Sequence, residues 1–174
     1  MNETRIRQAQ PADIQAMCEL LLEHGPNPWN YLPEADVRAH LQAIASGETL
    51  AVLAECGSGL LGFVSYRLTH DFSAHQPTGR EAQQQAYICE AVVHRGCAGQ
   101  GLGSRLLEAT IERISALGVQ DVYIDRHEEN AASAGMMRKA GFTELLSYDD
   151  HARRSHGSRR STLCCRRVGG NADQ

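Results

Sequence analysis

Between residues 86 and 103 the chain reads AYICEAVVHRGCAGQGLG, an apolar, β-prone run ending near Val93, followed by Gly96, Gly99, Gly101 and Gly103. Directly behind them, LGSRLLEATIERISALG places Leu102, Leu106, Ile111, Ile114 and Leu117 at helical spacing, with Gly118 as the stop. A strand that enters a helix through so much bare backbone turns successive N–H groups outward at the positive end of the helix dipole. That arrangement receives phosphate oxygens. The helix also carries the chain back to a further strand, VQDVYIDRH, which becomes a parallel neighbour of the first and fixes an α/β architecture.

The remaining elements fit around this unit. A short strand runs to Gln10, and Pro11 opens a helix with Ile14, Met17, Cys18, Leu21 and Leu22 on one face and Gly25 at its end. GPNPWNYLPE is a loop that offers Trp29, Asn30 and Tyr31. A second helix starts near Pro33, buries Val37, Leu41 and Ile44, and stops at Gly47. TLAVLAEC and LLGFVSYRL flank the turn GSG as an antiparallel hairpin, and DFSAHQPTGREAQQ follows as a polar loop containing Phe72. ENAASAGMMRKAGF reads as a short helix capped by Asn130 and closed by Gly141. FTELLSYDDHA and RRSTLCCRRV form a last strand pair around an arginine-rich turn, and GGNADQ reads as a frayed tail. The order β α α β β β α β α β β implies helices on a mixed sheet.

At 174 residues the chain is the size of one domain, here 1–168, with 169–174 as the tail. No stretch approaches the roughly 18–20 uninterrupted apolar residues of a membrane span, and the amino terminus lacks the apolar core of a secretion signal. The six cysteines lie in apolar segments or as an adjacent pair, without a CxxC, and read as free thiols of a cytoplasmic protein. The histidines match no zinc spacing, so no metal is expected. A net charge of −4 argues against nucleic acid as a partner, although six arginines against one aspartate follow residue 150.

Among phosphate-binding loops, a Walker loop fails because no Lys-Ser or Lys-Thr follows the glycines. A dinucleotide fingerprint fails at its third glycine, where Leu106 stands, and three strands precede a motif that belongs to the first. VHRGCAGQGLG, with Gly101 and Gly103 at its two glycine positions, instead resembles the acyl-CoA motif of the GCN5-related N-acetyltransferase (GNAT) superfamily. Asn130 through Gly141 and Phe142 matches that family's second signature, and the element order agrees from about residue 3 to residue 168.

The resemblance implies an α/β fold with a mixed, mostly antiparallel sheet flanked by helices and a splayed parallel strand pair. It implies acetyl-CoA as cosubstrate, with Ala98, Gly99, Gln100, Gly101, Leu102, Gly103 and Ser104 wrapping the pyrophosphate. The main chain of Ala91, Val92 and Val93 would receive the thioester and pantetheine arm, with the Val92 N–H as donor to the acetyl oxygen, and Asn130 would contact the arm. The acceptor is a primary amine of a small molecule or peptide, and a homodimer is left open. Ala98 and Met137 depart from the pattern, the second at a position where many members carry a proton-donating tyrosine.

An alkyl ammonium cannot attack a thioester, so a base is needed. Glu90 interrupts an apolar strand and is the candidate, with strand alternation placing it beside Ile88 and Val92 on a semi-buried face. Asp125, His127 and Glu128 are the reserves, and Tyr148 or water could replace the missing acid. Trp29, Asn30, Tyr31 and Phe72 would choose the acceptor, because loops on a rigid scaffold carry specificity. The competing readings are a CoA-binding sensor without turnover and an NAD(P)-dependent oxidoreductase.

Overall fold

The structure, a computed structural model, describes residues 3–168; the tail inferred from sequence lies outside them. Seven strands and four α-helices follow in the order β1 (Arg5–Gln8), α1 (Ile14–His24), α2 (Glu34–Gln42), β2 (Leu50–Cys56), β3 (Gly59–Thr69), β4 (Gln85–Val93), α3 (Leu102–Ala116), β5 (Asp121–His127), α4 (Ala131–Lys139), β6 (Thr143–Asp149) and β7 (Arg160–Arg167). The strands make one sheet in the order β1-β2-β3-β4-β5-β7-β6. Every neighbouring pair is antiparallel except β4–β5, the pair joined through α3.

Elements begin and end where local chemistry dictates. Pro11–Asp13 forms a 3₁₀ turn before α1, stabilised by the Asp13 carboxylate, which accepts the Gln10 N–H and a fork from Arg7. α2 takes Pro33 as its cap, and Ile44 is buried beyond the helix end rather than within it. α3 buries Leu102, Leu106, Leu107, Ile111 and Ile114. Leu117, expected on that apolar face, is 56% exposed because the helix closes at Ala116 and Leu117 is its cap.

The core has two faces. Val52, Val64, Ile88, Val122 and Ile124 pack with α3 and with Phe142 on one side of the sheet, and Leu53, Phe63 and Val92 pack with Met17, Leu21 and Leu41 of α1 and α2 on the other. Tyr123, Leu163 and Cys165 form a smaller cluster with Phe72, Tyr87 and Tyr148. Among the described residues all six cysteines are free, and no helix is long and apolar enough to cross a membrane.

Candidate active site

β4 and β5 pair only from Ala86 to Ile88 opposite Val122 to Ile124, although β4 runs on to Val93 and β5 to His127. Past Ile88 the strands part, and a cleft of about 600 Å³ opens between them, with β4, β5, α2 and α4 all contributing to its wall. Parting exposes a strand edge that would otherwise be paired. His94 donates its N–H to the Leu61 carbonyl at 2.7 Å, so the hydrogen-bonded pairs of the β3–β4 ladder fall on His94/Leu61 and, two residues back, on Val92/Phe63. Val92 therefore turns its amide toward β3, and a Cβ on Gly62 would stand 2.7 Å from the Val92 carbonyl oxygen. The open edge carries the N–H groups of Ala91 and Val93 instead. The Val92 amide singled out from sequence is thus unavailable, because ladder parity and not residue type decides which amides face the gap.

The glycine turn lies at the end of the same strand. His94 accepts the Gly96 N–H at its Nδ1 (2.9 Å), the neighbouring ring of His24 accepts the Arg95 N–H (3.1 Å), and the two imidazoles pack 4.0 Å apart, tilted by 35°. From that anchor Ala98 to Gly101 run exposed into α3. Gly99 and Gly101 both hold φ at 77°, a conformation that L side chains rarely adopt. The first α3 amide engaged by the preceding turn is that of Arg105, bonded to the Gly101 carbonyl. Among the described residues, the N–H groups of Gly99 to Ser104 have no protein acceptor beyond the helix itself, as expected for the first turn of a helix. This backbone fits a diphosphate. Gly101→Val forces a β-branched residue into left-handed backbone, at a cost on the order of 1–2 kcal/mol. The expected result in a binding titration is at least about a tenfold loss of acetyl-CoA affinity with folding retained.

Glu90 owes its position to a bulge. Tyr66 faces Ile88 while Ser65 faces Glu90, so Cys89 is an extra residue in β4. The bulge inverts the alternation: Ile88 packs on the α3 side and Val92 on the α1/α2 side. Glu90 shares the face of Val92 and Ser65 and not, as alternation alone predicts, that of Ile88. Burial pushes its carboxyl from the ordinary 4.5 up to about 7, with the nearby Asp125 adding to the rise and Arg153 and Arg154 opposing it.

The reserve groups are otherwise engaged. Asp125 is 9% exposed and accepts a two-pronged bond from Arg153 (2.9 Å each), the hydroxyls of Tyr87 (3.0 Å) and Tyr148 (3.4 Å), and one Arg154 nitrogen at 3.5 Å. Burial pushes this carboxyl up, but the bonds and charges of Arg153 and Arg154 prevail and hold it below its ordinary value. His127 accepts the Glu129 N–H at Nδ1 (3.0 Å), so its proton sits on Nε2 and is donated to the His156 carbonyl at 2.6 Å. Glu128 stands 3.6 Å from Arg160. Met137 is buried in the cleft wall beside Met136, and Asn130 caps α4 by accepting the Ser133 N–H at 3.2 Å.

Of the acceptor residues expected from sequence, Asn30, Tyr31 and Phe72 line the cleft. Phe72 stacks on Tyr123 at 4.5 Å. Trp29 stands behind the cleft wall, its ring 4.6 Å from His127 and its carbonyl accepting from Arg154 at 2.9 Å. Sequence reasoning missed Asp36 and His40 from α2, Arg67 from β3, and Arg153 and Arg154 from the turn before β7, all of which line the cleft. His40 reaches Ser65 Oγ with Nε2 at 2.8 Å, and burial lowers its pKa. Only the second helix pattern hinted at His40, as a polar position one residue from buried Leu41.

The model of the acetyltransferase (GNAT) family matches residues 14–142. The chain belongs to that family. This GNAT chain is 29% identical over 143 residues to an L-methionine sulfoximine/L-methionine sulfone acetyltransferase of Pseudomonas paraeruginosa, covering 79% of this chain and 78% of the relative. Its fold matches that of Arabidopsis thaliana NAA60 in complex with acetyl-CoA, with a TM-score of 0.78 at 15% identity over 97% of this chain and 100% of the other. The ribosomal-protein-S18-alanine N-acetyltransferase of Escherichia coli gives 0.72 at 17% identity, covering 97% and 98%. Family membership brings the activity, acetyl transfer from acetyl-CoA to an amine, and excludes the oxidoreductase reading.

Proposed function

We propose that residues 1–168 act as one catalytic unit that acetylates the primary amine of a small molecule by direct attack on acetyl-CoA, with Glu90 as the base. The observation that carries this reading is the placement of Glu90. It is a half-buried carboxyl with a pKa of about 7, on the acceptor face of the sheet, at the point where β4 leaves β5. A group poised near neutral pH is ionised often enough to take a proton and still holds it strongly enough to help.

Acetyl-CoA supplies an activated acyl group, and the chain's residues do the rest. The amides of Gly99 to Ser104 hold the diphosphate, and Asn130 and the open β4 edge take the pantetheine arm as an added strand. The Ala91 and Val93 amides are the donors available to it, with Ala91, next to Glu90, best placed for the acetyl oxygen. Glu90 accepts the ammonium proton directly or through one water. Met137 has no proton to give, and the hydroxyls of Tyr87 and Tyr148 both point at Asp125. The CoA thiolate, with a thiol pKa of about 8.5, leaves without a dedicated protein acid, and the second proton, shed by the attacking nitrogen, passes to the thiolate or to water.

The relatives named for methionine sulfoximine and methionine sulfone favour a small acceptor over a peptide, with Asn30, Tyr31 and Phe72 at its side. Free cysteines suit a reducing, cytoplasmic setting, and the negative net charge suits a partner other than nucleic acid. The test is release of CoA thiol over a panel of small amines and peptides. Acetyl-dependent release with a small amine is expected. Tight acetyl-CoA binding without release on any of them would leave the sensor reading in place.

A further inference from the structure

The cleft holds four arginines, and their hydrogen-bond donors are very unevenly committed. Arg154 gives Nε to Ser161, one terminal nitrogen to the Trp29 carbonyl and the other to Asp125. Arg153 presents its fork to Asp125 and also reaches Asp150. Arg126 bonds the carbonyls of His127 and Glu128 and the Glu144 carboxylate. Arg67 differs. Its one oxygen partner among the described residues is Asp71 at 3.0 Å, in a pair whose side chains are 40% and 64% exposed. Exposed pairs four residues apart hold weakly. The rest of the Arg67 fork has no oxygen to bind.

Position adds direction to that surplus. β3 alternates regularly, so Arg67 lies on the same face as Ser65, and Ser65 faces Glu90 across the ladder. Arg67 itself faces Tyr87 and lies over that ring, 5.3 Å from its centroid. Tyr87 is fixed in turn by its bond to Asp125. The guanidinium is thereby held by a cation–π contact, by Asp71 and by the Cys89 sulfur, while its remaining N–H groups stay open, a preorganised receptor for a planar oxyanion. Arg67 acts electrostatically on His40 and Cys89, whereas Glu90 feels Arg153, Asp125 and Arg154. Cys89 feels both Arg67 and Glu90, so the two groups serve one acceptor pocket.

We propose that Arg67 is the carboxylate receptor of the acceptor site and that the substrates are α-amino acids, held by their carboxylate at Arg67 and presenting their amine to Glu90. This rests on the acetyl-transfer reading of the cleft but concerns recognition. Substrates with an amine and no carboxylate leave the fork empty, and amino acids fill it with charge-assisted bonds.

The test measures binding apart from turnover. Glycine, L-methionine sulfone and L-phenylalanine, each beside the amine that lacks its carboxylate, are titrated calorimetrically into the CoA-saturated protein and into Arg67→Gln and Arg67→Lys. Thiol release from acetyl-CoA is followed in parallel. The expected result is that at least one acid binds the unmodified protein roughly tenfold to a hundredfold more tightly than its matched amine. Arg67→Gln should erase that difference, Arg67→Lys should restore part of it, and acetyl-CoA affinity should not change. Acids that bind no better than their amines, or an Arg67→Gln variant that keeps the preference, overturn the proposal even if thiol is released. Selective binding lost in Arg67→Gln without any thiol release upholds the receptor and removes the transferase reading instead.

Discussion

Glu90→Gln is expected to lower kcat by roughly 10²–10⁴-fold while leaving acetyl-CoA affinity within about twofold. Glutamine keeps the shape and polarity of the side chain, so the cleft is preserved, but it cannot take a proton. In the unmodified protein kcat should climb about tenfold per pH unit up to about 7 and then level off, as the half-buried carboxyl ionises. The variant should lose that limb, so the gap between the two widens as pH rises. The same substitution should raise stability at alkaline pH. The folded state holds the Glu90 proton more tightly than the unfolded chain, so ionisation begins to cost stability above the ordinary 4.5 and costs its full amount above about 7. That cost is on the order of 3 kcal/mol. Urea unfolding at about pH 8.5 should show Glu90→Gln more stable by an amount of this order, and at about pH 4 no such gain. Equal kcat profiles for the two proteins would remove Glu90 from the chemistry.

Asp125→Ala should be the most damaging single change to the fold around the site. Its carboxylate is the common acceptor of Arg153, Arg154, Tyr87 and Tyr148, and Arg154 also fixes the Trp29 carbonyl and Ser161. Removing it takes the carboxylate from buried Arg154 and leaves Arg153, whose side chain is 38% exposed, with Asp150 at 3.4 Å; the loss is about 2–3 kcal/mol, below the roughly 3–5 kcal/mol of a fully buried pair. Both the loop around Trp29 and the turn before β7 should loosen together. Urea unfolding measures the loss, and enhanced proteolysis near residues 26–33 and 150–159 should accompany it. A change under about 1 kcal/mol would mean that the cluster is solvated and does not hold the cleft wall.

Much of this architecture is written in local pattern. Leu102, Leu106, Ile111 and Ile114 repeat at helical spacing and are buried, and Asn130 and Gly141 bound α4 as cap and stop. The glycine turn is legible because few residues besides glycine hold φ at 77° before a helix that must leave its amides open. What local pattern could not give is which way particular groups face. The bulge at Cys89 has no glycine or proline to announce it, so the face of Glu90 relative to Ile88 was misread, and ladder parity turned the Val92 amide away from the gap. His40 and Arg67 look like ordinary polar positions on a helix and a strand, and only sheet order brings them beside Glu90. Trp29 differs from its loop neighbours Asn30 and Tyr31: an aromatic in a loop invites a binding role, and its ring packs 4.6 Å from His127 without lining the cleft.

The central claim is that the turn after β4 and the open edge of that strand hold acetyl-CoA with main-chain amides. Titration of acetyl-CoA into isotopically labelled protein, followed amide by amide by nuclear magnetic resonance, addresses it directly. The account predicts large, saturable shifts for Ala91, Val93 and Gly99 to Ser104, with far smaller ones along β1, β2 and α1. Saturation of the protein with those amides unmoved would contradict it.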